Sequence, residues 1–72
     1  MDVWEYLSIN LSSYRKYYFD TGVSFYELEF SDYNSIITNP LNLATGDWIV
    51  TYNTYLDANL IFESKYMKIY QK

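Results

Sequence analysis

The sequence predicts an α+β fold, with one N-terminal α-helix packed on a three-stranded antiparallel β-sheet in the order α-β-β-β. Three observations carry this expectation. Apolar residues near the N-terminus recur at helical spacing, residues 48–56 alternate with a period of two, and β-branched and aromatic residues are enriched over 60–70. At 72 residues the chain has room for one domain, 1–72, near the size at which an apolar core alone sustains a fold.

The first element is a helix over about residues 2–18. Asp2 followed by Glu5 has the spacing of an N-cap with a carboxylate at the third helical position, favourable at the positive end of a helix dipole. Val3, Leu7, Leu11, Tyr14 and Tyr18 then fall on one face, which Trp4 broadens. Arg15 and Lys16 suit the C-terminal end, and Asp20-Thr-Gly22 supplies a stop.

A first strand occupies residues 23–31, with Tyr26, Leu28 and Phe30 on one face and Val23, Phe25, Glu27 and Glu29 on the other. Residues 31–46 lose any period, with Ile36-Ile37 and Leu41/Leu43 as apolar tethers, and Thr45-Gly-Asp47 is a turn. The second strand, 48–56, sends Trp48, Val50, Tyr52, Thr54 and Leu56 to one side. Asp57-Ala-Asn59 reads as a three-residue hairpin loop into a third strand, 60–70. That loop sets Leu56 opposite Leu60 and puts Leu60, Phe62, Ser64, Tyr66 and Tyr70 on the core face. An alternative replaces the last strand by a second helix, because Leu56, Leu60, Glu63, Met67 and Tyr70 also keep helical spacing. β-Propensity favours the strand.

Composition closes many chemistries. Without cysteine or histidine the chain has no disulfide, no thiolate or imidazole metal ligand and no Cys–His or Ser–His–Asp catalysis. Glu27 and Glu29 stand roughly 7 Å apart on one strand face, near a glycosidase spacing, but a chain of this size has little room for a substrate cleft. No calcium loop, phosphate loop or nucleophile elbow is present. The expectation is therefore a protein that is not an enzyme and has no cofactor or metal. With no signal peptide and no apolar run of the roughly 20 residues that span a bilayer, it is also expected to be cytoplasmic.

Aromatic content and charge point to surface contact. Ten tyrosines, four phenylalanines and two tryptophans exceed what a core of this size can hold, so some rings must face solvent or a partner. The cations Arg15, Lys16, Lys65, Lys68 and Lys72 lie toward the two ends of the chain, and residues 17–64 carry only acids among their charged side chains. The register argument leaves a second sheet face too apolar for solvent. The expected function is a non-enzymatic protein-interaction module, a small inhibitor or adaptor acting through an acidic–aromatic face made by Phe25, Glu27, Glu29, Asp32, Tyr33, Ile49, Tyr55, Ile61 and Met67. A basic nucleic-acid-binding protein is the natural partner for such charge, and the surplus apolar face suggests a homodimer. The bias toward Ile, Asn, Tyr, Lys and Phe fits AT-rich coding sequence, as in a phage, where inhibitors of host defence of this size occur. The alternative is a small single-stranded nucleic-acid binder using Arg15, Lys16, Tyr17, Lys65 and Lys68, where cations interleave with rings. The net charge of −4 disfavours it.

Overall fold

The computed structural model describes residues 1–10, 12, 14–20, 23, 36–52, 54 and 57–72. It is an α+β fold with one helix, α1 (Val3–Ile9), and five short strands: β1 (Tyr17–Phe19), β2 (Ile36–Ile37), β3 (Trp48–Thr51), β4 (Asn59–Glu63) and β5 (Lys68–Gln71). The strands form one mixed sheet in the order β2-β1-β3-β5-β4. β1 is parallel to both β2 and β3, whereas β5 is antiparallel to β3 and β4. The expected three-stranded antiparallel sheet is thus corrected to a five-stranded mixed one.

The helix begins where its cap predicts. Asp2 accepts a hydrogen bond from the Glu5 amide at 2.8 Å, and Val3 and Leu7 are buried one turn apart. It ends at Ile9, far short of residue 18, for two reasons. The Asn10 carbonyl is claimed from outside the helix by Arg15, whose Nη1 donates at 2.7 Å, and by the Tyr17 hydroxyl at 3.4 Å. Tyr17-Tyr-Phe19 is a run of good strand formers, and pairing beside β3 wins over helical continuation. Tyr14, expected on the core face, is fully exposed as a result.

The C-terminal half departs from the expected hairpin. β3 pairs with β5, and β4 lies outside β5 at the sheet edge. The expected third strand is split by a tight turn at 64–67, in which the Ser64 amide donates to the Met67 carbonyl at 2.8 Å and the Met67 amide donates to Ser64 Oγ at 3.2 Å. A bulge also interrupts β4 between Leu60 and Phe62. Each irregularity shifts the phase of alternation. Ile61 and Phe62 consequently both pack against the core, Met67 and Ile69 join it, and Tyr70 is buried in register with Ile49 on the opposite face. The hairpin partner Leu56 and the site residue Tyr55 lie outside the described residues, as does the expected strand 23–31 apart from Val23, which packs against the core.

The core between α1 and the sheet comprises Val3, Leu7, Tyr17, Trp48, Val50, Met67 and Ile69. Rings continue it outward: Tyr6 stacks on Phe62 at 4.4 Å and on Trp48 at 5.9 Å, Tyr17 meets Trp48 edge-on at 5.9 Å, and Trp4 stacks on Phe19 at 6.3 Å. The far face is not the open apolar surface that the sequence suggested. Ile37, Thr51, Lys68 and Tyr70 are buried on it, and Ile49 and Tyr18 are partly covered.

Candidate interaction surface

The residues expected to bind a partner divide into three groups. Phe25, Glu27, Glu29, Asp32 and Tyr33, like Tyr55, lie outside the described residues. Met67 belongs to the core, Ile61 packs against it, and only Ile49 of the described members stands on the far face, partly covered. Of the three described members, Met67 and Ile61 thus lie on the helix side of the sheet and Ile49 on the other.

The basic–aromatic set is also dispersed. Arg15 sits 3.7 Å from the Trp48 ring centroid while it holds the Asn10 carbonyl, and Tyr17 is buried beneath it. Lys68 is buried and forms a 2.8 Å ion pair with the half-exposed Glu63. Lys16 and Lys65 are exposed at opposite ends of the sheet: the Lys16 carbonyl accepts from the Trp48 amide at the start of β3, whereas Lys65 lies in the 64–67 turn, beyond the Thr51↔Lys68 pair at the other end.

What the fold does expose, among the described residues, is a set of large apolar side chains on the helix end and on connecting turns. Tyr14 is 100% exposed, Leu41 89% and Ile9 69%. Ile9 ends the helix beside Asn10, and it is turned away from the Val3/Leu7 stripe by its place two residues after Leu7. Tyr14 occupies a turn closed by bonds from the Tyr14 amide to Ser12 Oγ at 3.2 Å and from the Arg15 amide to the Ser12 carbonyl at 3.3 Å. Leu41 is the middle residue of a 3-10 turn over Pro40–Asn42. There Asn39 Oδ1 accepts from the Leu41 amide at 3.0 Å, and Pro40 fixes the first φ.

The turn carrying Leu41 is tied to the sheet. Lys72 Nζ donates to the Leu43 carbonyl at 2.8 Å, and Asp47, buried, accepts from the Ala44 amide through Oδ2 at 2.9 Å. The Lys72 backbone bonds both Gly46 and Asp47, which extends the β3–β5 pairing to the chain end. These side chains are thus presented on hydrogen-bonded turns rather than left on loose loops. Periodicity alone does not find them, because helical spacing places Tyr14 in the core and the aperiodic segment makes Leu41 a tether. The Asn-Pro-Leu-Asn turn signal around Leu41 is the available clue, since a turn tip projects its middle residue outward.

Nearby, Asp57, Ala58, Asn59, Gln71 and Lys72 line a shallow hollow. Among the described residues no cluster of acidic side chains suited to a metal ion occurs, and no helix is long and apolar enough to cross a membrane. No protein-family model matches the chain, nor does any curated protein or solved structure.

Proposed function

We propose that the chain is a non-enzymatic protein-interaction module, an inhibitor or adaptor that works by surface contact. The observation that carries this reading is the exposure of Tyr14, Leu41 and Ile9, the first two on turns closed by hydrogen bonds. A turn whose backbone is already held loses little freedom on binding, which lowers one of the costs that contact must offset. Tyrosine suits such a role because its ring is apolar and its hydroxyl tolerates water. The acidic residues Glu27, Glu29 and Asp32 add to the net negative charge that would attract a basic partner, such as a nucleic-acid-handling protein.

The test is capture from an extract of the native source by the immobilised wild-type chain and by the double variant Tyr14→Ser/Leu41→Ser. Both substitutions fall on exposed side chains, so far-UV circular dichroism should be unchanged. A protein retained by the wild type and lost with the variant supports the reading. Retention of the same protein by both would move the contact elsewhere, and capture of none would remove the reading.

A further inference from the structure

The peptide group that joins Leu43 to Ala44 is held on both sides by charged side chains. Lys72 Nζ donates to its carbonyl at 2.8 Å, and Asp47 Oδ2 accepts from its N–H at 2.9 Å. The carbonyl and N–H of a trans peptide point in opposite directions, so this pair of bonds fixes the plane of the group as well as its place. Both bonds are charge-assisted, and such bonds are stronger than those between neutral groups.

The two side chains share one base. The Lys72 amide donates to the Asp47 carbonyl at 2.9 Å and the Gly46 amide donates to the Lys72 carbonyl at 2.8 Å, which joins the two residues beside the start of β3. Asp47 is only 8% exposed, and its amide closes a turn back to the Ala44 carbonyl at 3.1 Å. Lys72 and Asp47 are thus the jaws of a clamp anchored in the sheet.

What the clamp sets is the direction of the preceding turn. Leu43 caps the 3-10 turn over Pro40–Asn42 by donating its amide to the Pro40 carbonyl at 3.2 Å, and Leu41 stands in the middle of that turn, 89% exposed. Tilting the 43–44 peptide changes ψ of Leu43 and φ of Ala44, the two joints by which this turn hangs on the sheet. We infer that Asp47 and Lys72 are positioning residues for Leu41, which clamp this peptide and thereby set the affinity for a partner protein through Leu41 rather than by their own contact with it. The inference rests on the reading that Leu41 makes the contact, and it adds the residues that govern that contact from behind.

Amide exchange in the free chain, followed by a mutant cycle in binding, tests this. Asp47→Ala and Lys72→Met should each speed exchange of the Asn42, Leu43 and Ala44 amides about tenfold, through loss of one charge-assisted hydrogen bond, and leave the amides of β3 and β5 unchanged. Lys72→Arg keeps a donor and should exchange as the wild type does. With the protein retained by the immobilised chain, Lys72→Met should weaken binding several-fold, yet have no further effect once Leu41→Ser is present. Should Asp47→Ala fail to fold, the exposed Lys72→Met carries the same test. Exchange that rises equally in the turn and in β3 and β5 would reduce the pair to stabilisers of the fold and overturn the inference. No rise at all, or equal weakening of binding with and without the Leu41 side chain, would overturn it too. Failure of the contact reading looks different: exchange still reveals the clamp, but Leu41→Ser binds as the wild type does or no protein is retained, and the positioning role is then overturned while the clamp stands as a structural tie.

Discussion

Arg15 shows how one side chain can settle the end of an element. Its guanidinium closes the helix at the Asn10 carbonyl and covers the Trp48 ring in the same pose, so it joins α1 to β3. Arg15→Ala should lower stability by about 1–2 kcal/mol, the combined loss of a hydrogen bond to a charged donor and a partly desolvated cation–π contact. Arg15→Lys should recover only part of it, because an ammonium lacks the planar fork that serves both partners. Urea denaturation of the three proteins reads this directly. Gly46 is a second such position. Its φ of +97° is one that side chains disfavour, yet a Cβ there would meet nothing within 4 Å. Gly46→Ala should therefore cost about 1 kcal/mol from the backbone alone, a loss measurable in the same titration and unaccompanied by change in the core.

At the scale of elements, α1 is too short to exist by itself. Seven residues fall below the roughly 12–15 at which isolated helices become marginal, even with an N-cap. A peptide of residues 1–16 should show no helical circular dichroism, whereas the intact chain does. The helix is held by Val3 and Leu7 in the core and by the stacking of Tyr6 on Phe62 and Trp48. β4 poses the opposite case, a strand with one residue in excess. Deleting Ile61 would remove the bulge and leave a regular alternation, with Leu60 still opposite Tyr70 and Glu63 still opposite Lys68. The deletion variant should fold with those pairings intact in nuclear Overhauser contacts, less stable by about 1–2 kcal/mol for one lost, partly buried side chain.

For the whole molecule, the strand order sets which parts open last. β3 and β5 each have a neighbour on both sides and supply Trp48, Val50 and Ile69 to the core. Amide exchange should be slowest there and faster in the edge strand β2. The dispersal of the cations leads to a functional expectation at the same scale. With Arg15, Tyr17 and Lys68 engaged within the fold and Lys16 and Lys65 at opposite ends, the described residues form no continuous basic track for a phosphate backbone. Labelled single-stranded oligonucleotides should show no micromolar binding by fluorescence anisotropy at physiological salt.

Local rules were enough for several features: the α+β class, the Asp2 cap, the buried Val3/Leu7 stripe, the turn before Trp48 and the inward face of Trp48 and Val50. Each depends on residues within a few positions of one another, so the sequence by itself determined them. Tertiary structure decided where the helix stops, because Arg15 and the Tyr17 hydroxyl reach back to Asn10 only once β1 lies beside β3. It decided the phase of the C-terminal strands too. The bulge at Ile61 and the turn at 64–67 each move every later side chain to the other face, and whether such a shift is favourable depends on what the opposite strand and the helix offer to cover. It likewise decided that Tyr14 and Leu41 stand in solvent, since exposure belongs to the arrangement of elements and periodicity along a single one does not encode it.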